Sequence, residues 1–273
     1  MDNKHIKNTK IYRALRKTYY ALKSWDSTKE HLRTRARIRR FKDIACGKIC
    51  VVIGNGPSLR LEDLTKLYEL GIQTFACNRI HKVFDQTPWR PSYYFMSDNN
   101  LVKSDHGAPK EGFEQVECFY PLRHREMIRD KNSNFYLEQM YDYLTESRFS
   151  LDAAEGIYPA ASVTTEMLQF AYYMGFSEVY LIGVDFSYNI TQAKSNQKYT
   201  YNNEDNYFIK DYLKPGEVAD IPNFAANLRS FNAAKEAFES HGRVIRNATR
   251  GGKLEVFNRV NLDELFKKWE KEK

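Results

Sequence analysis

The stretch Lys48–Gly71, KICVVIGNGPSLRLEDLTKLYELG, decides the fold. It opens on a short apolar, β-branched run, passes through two glycines around one asparagine, and ends in a helical pattern stopped by Gly71. An apolar run of that length reads as a buried strand, and the leucine spacing after it as an amphipathic helix. Gly54 and Gly56 allow close backbone approach and positive φ between the two. The helix that follows points its free N–H groups and positive dipole end back at the turn, which makes a seat for phosphate. The full dinucleotide fingerprint is not met, because Leu59 stands where the third glycine belongs, and no Walker lysine follows.

The same alternation continues along the chain. QTFACN reads as a second strand, PSYYFMSD as a third and QVECFYPL as a fourth. Residues 121–158 give no clear pattern. SVTTEMLQFAYYMG reads as a helix with Ser162 at its N-cap, Val163, Met167, Phe170 and Met174 on its inner face, and Gly175 closing it. EVYLIGVD is the clearest buried strand. A helix with Phe224, Leu228, Phe231 and Phe238 on one side follows, then a last strand, RVIRNA, and a charged closing helix. Strands separated by helices of this length predict an α/β fold: a Rossmann-like, mostly parallel sheet flanked by helices on both faces.

Polar residues gather at the carboxyl ends of these strands. Gly54, Asn55, Gly56 and Ser58 follow the first; Asn78 and Arg79 the second; Ser97 and Asp98 the third; Asp185 follows EVYLIGVD; Asn247 and Arg250 follow the last. The opposite ends, such as Gly47-Lys48, Arg90-Pro91 and Ser177-Glu178, carry no Asn or Asp. Loop preference alone would enrich both ends. Open α/β sheets bind ligands beyond the carboxyl ends of their strands, so these residues are candidate nucleotide-binding groups.

Composition narrows the class. The chain has 273 residues, 42% of them apolar, enough for a sizeable core. No apolar run approaches the ~18 residues that span a bilayer, and no secretory signal is read at the N-terminus. Cys46, Cys50, Cys77 and Cys118 form no C-x2-C pair, and three lie in strand-like runs. They read as reduced core thiols of a cytoplasmic protein, with no metal-ligand set. Residues 1–40 carry 13 Lys+Arg against 3 Asp+Glu, and the remainder 29 against 32, so the basic character belongs to an N-terminal arm. The expected organisation is a basic amphipathic arm over residues 1–45 and a nucleotide-binding catalytic domain over 46–273. Tyr12, Leu15, Tyr19 and Leu22 place one apolar stripe on a basic helix. Such a helix lies peripherally on anionic membrane, here the inner face, or packs on its own domain or on a partner subunit of a homo-oligomer. No base-reading module accompanies RTRARIRR, so nucleic acid is not an expected partner.

VVIGNGPSL, then FACNR, then a Ser/Thr-rich helix leading into MGFSEVYLIGVDFSY, resemble the bacterial lipooligosaccharide sialyltransferases. With NATRGGKLEVFNRV they also resemble the group described after 6-hydroxymethylpterin diphosphokinase (MptE-like), which includes flagellin-modifying glycosyltransferases. The resemblance covers roughly residues 48–260 and implies a Rossmann-like domain of the GT-A-variant kind with a lid, here about residues 187–216. It implies a glycosyltransferase that moves a sugar from a nucleotide-activated donor, CMP-linked by preference, to a cell-envelope glycan or glycolipid acceptor. Gly54, Asn55 and Gly56 would then hold the donor's phosphate and ribose, Asn78 the nucleotide, and Ser162 to Thr164 would face the donor. Tyr188 stands one position from the tyrosine that stabilises the departing phosphate in the sialyltransferases. Their lid histidine has no counterpart here, which leaves Asp211, His81 or His106 as the proton acceptor. No D-x-D dyad is present, so no cofactor is expected. Two alternatives stand beside this reading. One is a diphosphokinase moving pyrophosphate from ATP to a pterin-type alcohol, with Mg²⁺ on Asp98 and Asp185. The other is a non-catalytic nucleotide-binding protein.

Overall fold

A computed structural model of the chain describes residues 29–105, 111–128, 133–160, 162–189, 193–194, 198–201 and 205–273. The stripe Tyr12–Leu22, His106 and residues 190–192, 195–197 and 202–204 of the expected lid lie outside them.

The strands are β1 (Ile49–Ile53), β2 (Gln73–Cys77), β3 (Tyr93–Phe95), β4 (Glu117–Pro121), β5 (Asn134–Tyr136), β6 (Glu178–Ile182), β7 (Ala193–Lys194), β8 (Lys198–Thr200), β9 (Val218–Asp220) and β10 (Val244–Asn247). The α-helices are α1 (Lys29–Arg39), α2 (Leu61–Leu70), α3 (Asn99–Ser104), α4 (Val163–Tyr173), α5 (Phe224–Glu239) and α6 (Leu262–Glu272). Seven strands form one sheet in the order β10-β6-β1-β2-β3-β4-β5, with every pairing parallel. The expected Rossmann-like α/β architecture is therefore present.

β1 is apolar throughout because both its faces are covered. Cys50 and Val52 point into a core shared with α1, α4 and α5. Val51 and Ile53 point into a second core with Leu64 and Leu67 of α2 and Phe266 and Trp269 of α6. Gly71, with φ 68°, ends α2 by turning its N–H back onto the last carbonyls. Gly175, with φ 92°, follows α4 in the same way. Leu228 departs from expectation: α5 buries Ala226, Phe231, Ala234 and Phe238, and Leu228 is 42% exposed.

β5 went unread in the sequence because three residues carry too little pattern. α1 and the turn after it pack against it: Ile38 and Phe41 enter the core, and Arg37 and Arg40 donate to the Asn134 side chain at 2.8 and 2.9 Å. The run RTRARIRR is thus seated on the sheet edge over its described length. β7, β8 and β9 form a separate antiparallel sheet, with Tyr199, Tyr201, Tyr212 and Leu213 as a small core. No helix among the described residues is long and apolar enough to cross a membrane.

Candidate functional site

The chain runs outward from β1 to β5 and then returns to place β6 on the other side of β1. That reversal opens a crevice at the carboxyl ends of β1 and β6. The two strand ends meet there backbone to backbone. The Gly54 N–H donates to the Ile182 carbonyl at 2.8 Å and the Gly56 N–H to the Gly183 carbonyl at 2.9 Å. A Cβ at Gly54 would lie 2.3 Å from the Gly183 oxygen, and one at Gly56 would lie 2.0 Å from Asp185 Oδ2. Close approach is what requires both glycines. The expected positive φ is not found at either; it belongs to Gly183 (φ 64°) across the crevice.

The expected phosphate seat is differently filled. α2 begins at Leu61, several residues past the glycines, and its first turn is closed by its own Asp63, which accepts from the Arg60 N–H at 3.2 Å. The turn itself holds Asp185, whose carboxylate accepts from the Ser58 hydroxyl at 2.8 Å. Burial raises the Asp185 pKa, and the Ser58 bonds oppose that shift.

Two asparagines line the cleft floor next to this turn. Asn55 donates its amide to the Cys77 carbonyl at 3.1 Å, and its Oδ1 is buried without a partner. Asn78 has φ 54°, a backbone region that Asn tolerates better than most residues, and its Oδ1 is also buried without a partner. Tyr94 holds the Asn78 carbonyl at 2.6 Å. Both residues line one cleft, and each keeps a buried amide oxygen without a partner, which is rare in a folded protein. Cys77, behind them, is pushed up to about 12 by burial, so it stays a thiol.

Ser97 and Asp98 line the cleft from the end of β3, and Asp98 caps α3 by accepting from the Asn100 and Leu101 N–H groups. Ser162 and Thr164 line it from the start of α4, where the Ser162 hydroxyl accepts from the Thr164 N–H at 3.2 Å. One turn on is Glu166, a residue the sequence reading passed over. It is 3% exposed, lines the cleft and accepts from the Tyr136 hydroxyl at 2.8 Å. Burial foremost, with Glu138 adding to it, lifts its pKa to about 7. Its position three residues after Val163, on the apolar face of α4, was the available signal. His31 and Arg35 of α1 also reach the cleft.

The tyrosine-rich segment after β6 forms the roof. Phe208 donates its N–H to the Asn55 carbonyl at 3.2 Å, and Tyr207 stacks on Tyr212 at 4.0 Å. Tyr188, 39% exposed, lines the cleft and packs edge-on against Phe224. Arg79 ties the roof to the sheet. Its guanidinium donates to both Asp105 oxygens at 3.0 and 2.9 Å, to Glu217 at 2.7 Å and to the Tyr212 carbonyl at 2.9 Å.

Four sequence candidates lie elsewhere. Asn247 is 1% exposed and binds the Leu254 carbonyl and the Thr249 N–H, so it fastens the loop after β10. Arg250 bridges Asp63 at 2.5 Å and Asp263 at 2.6 Å, which joins α2 to α6. His81 lines a separate hollow of about 230 Å³ with Lys82 and Lys214, and burial lowers its pKa. Asp211 is exposed, and its backbone carbonyl accepts from Lys82. Gly54, Asn55, Gly56, Asn78, Arg79, Ser97, Asp98, Ser162, Thr164, Asp185 and Tyr188 do share one cleft of about 1720 Å³, and Ser58 abuts it through Asp185.

No curated protein matches the chain. Among solved structures it is similar to the MAf glycosyltransferase of Magnetospirillum magneticum AMB-1, with 16% identity and a TM-score of 0.49. That match covers 85% of this chain and 38% of the other, so the chain spans well under half of that protein. It is also similar to a mammalian sialyltransferase solved with Gal-beta-1-3GalNAc-ortho-nitrophenol, with 12% identity, a TM-score of 0.41, and coverage of 90% and 89%. The family model described as 6-hydroxymethylpterin diphosphokinase MptE-like matches residues 15–191, a range that holds the glycine turn, the asparagine pair and the start of α4. More than half the chain lies within that match, and the chain belongs to the MptE-like family.

Proposed function

We propose that the chain is a transferase that binds a nucleotide-activated sugar, CMP-linked by preference, and passes the sugar to a hydroxyl of a cell-envelope glycan or glycolipid. The observation that carries this reading is the convergence of Gly54, Asn55, Asn78, Ser97, Ser162 and Asp185 on one cleft under a tyrosine-rich roof. A cleft of about 1720 Å³ exceeds the few hundred to ~1,000 Å³ of ordinary ligand pockets, which suits a donor and an acceptor held together. The nucleotide lies at the β6-β1-β2 ends, against Asn55 and Asn78.

The donor already carries its leaving group. What the protein supplies is orientation, a proton acceptor, and neutralisation of charge on the departing phosphate. Arg79 and Arg250 are engaged in ion pairs. That neutralisation therefore falls to the start of α4 and to roof hydroxyls. Burial raises the pKa of Tyr207 and Tyr212, so both remain protonated donors. No metal is required in this scheme. If residues 1–40 contact anionic lipid from the cytoplasmic side, they bring the cleft to a membrane-borne acceptor.

The family's description supports a second reading, pyrophosphate transfer from ATP to a pterin-type alcohol, with Asp98 and Asp185 as the Mg²⁺ candidates. One experiment separates the two. The full chain is incubated with CMP-, UDP- and GDP-sugars in EDTA, and with ATP, Mg²⁺ and 6-hydroxymethylpterin. Nucleotide release from a sugar donor in EDTA supports the first reading. AMP formation confined to the Mg²⁺ arm replaces it with the second.

A further inference from the structure

With His81 and Asp211 outside the cleft, the carboxylates that line it are candidate proton acceptors. Asp185 is held by Ser58, Asp98 caps α3, Glu138 pairs with Arg123, Glu155 with Arg35 and Glu217 with Arg79, Asp220 accepts from Asn100, and Glu126 is exposed. Glu166 differs: its hydrogen-bond partners are neutral hydroxyls, those of Tyr136 and Ser97. A carboxylate has about four lone-pair sites, so these two bonds leave capacity for a further donor.

Its place also fits. The glycine and asparagine cradle lies at β6, β1 and β2, whereas Glu166 is anchored to Tyr136 of β5 and faces Ser97 at the end of β3. It therefore stands on the β3–β5 side of the glycine and asparagine cradle, within the same cleft.

We propose that Glu166 takes the proton from the acceptor hydroxyl during transfer, an inference that rests on the transferase reading above. As the acceptor oxygen bonds to the anomeric carbon, its proton passes to the Glu166 carboxylate. The bond from that carbon to the donor phosphate oxygen breaks, and the nucleotide leaves with the electron pair. The proton then returns to water. The groups that set the basicity of Glu166 come from several elements. Burial and Glu138 disfavour its charged form, while Tyr136, Arg123 and Ser97 favour it. Cys77, from β2, stays neutral. The balance leaves Glu166 titrating at about 7, where a general base is most effective.

The test uses the full chain with water as acceptor: nucleotide release from CMP-, UDP- and GDP-sugars between about pH 5 and about pH 9, alongside nucleotide-induced melting shifts. Glu166→Gln is expected to lower release by ~10²- to 10⁴-fold and to abolish the bend near neutrality, with the melting shift retained. Tyr136→Phe removes a bond that favours the charged form, so it is expected to remain active with the bend moved to higher pH. Release by Glu166→Gln at the parental rate and pH profile overturns the proposal. An unmoved bend in Tyr136→Phe does the same even if Glu166→Gln fails to fold. If the parent protein neither releases nucleotide nor shifts in melting, the transferase reading itself falls, and this proposal with it.

Discussion

The Asp185 carboxylate occupies the turn that Gly54 and Gly56 open, accepting from both the hydroxyl and the N–H of Ser58 at 2.8 and 3.4 Å. An acid from β6 thus fixes the conformation of a loop from β1, and the crevice between them becomes one preorganised surface. Asp185→Ala leaves two donors of Ser58 unsatisfied. It should cost about 1–2 kcal/mol of stability and weaken nucleotide binding; chemical denaturation and calorimetry read the two effects separately.

Gly54→Ala should be more damaging than its size suggests. The added methyl meets backbone atoms of Gly183, which have no rotamer to retreat to. A loss of about 3 kcal/mol is expected, seen as an earlier denaturation midpoint. Gly47→Ala is the control: its φ of 75° is strained, but nothing lies within 4 Å of the new Cβ.

Arg79→Met should release the roof. Asp105 and Glu217 lose their shared partner, and the Tyr212 carbonyl loses its donor. Both acids retain some exposure, so the cost should fall near ~3 kcal/mol, the lower end for a broken buried pair. Limited proteolysis should cut residues 199–217 faster than in the parent, with the seven-stranded sheet still protected.

Glu166 gives stability a pH dependence of defined sign. Its folded pKa, about 7, lies above the ordinary 4.5. Its contribution is therefore present in full below about pH 4.5 and is lost as pH rises through about 7. The span is roughly 3 kcal/mol. Glu166→Gln cannot ionise, so its stability curve should be flatter over that window than the parent's, as urea midpoints across pH would show.

Most of the sheet was legible because six of its seven strands carry either an unbroken apolar run or turn signals at both ends. β5 was not, since Asn134–Tyr136 is too short to show a period. The site was legible where strand order decides it: Asn55, Asn78 and Asp185 follow strands that meet at the reversal. It was not legible where side-chain direction decides it. Asn247 and Arg250 also follow a strand, but one turns inward to Leu254 and the other toward Asp63. His31 and Arg35 were hidden among the charges of the arm, because charge counts do not reveal that α1 docks on the sheet edge. Glu166 could have been found as a carboxylate on the apolar face of α4.

The central claim is that the Asn55–Asn78 floor holds a nucleotide. Melting temperatures of the full chain with CMP, CDP, UDP, GDP and ATP, each with and without Mg²⁺, test it most directly, because a ligand that binds only the native state raises the midpoint. Asn78→Gly is compared rather than Asn78→Ala, since glycine accepts the φ of 54° without strain. The account predicts that one nucleotide raises the midpoint of the parent without Mg²⁺ and that Asn55→Ala and Asn78→Gly, still folded, lose most of that rise. An equal rise in the parent and both variants, or no rise with any nucleotide, would contradict it.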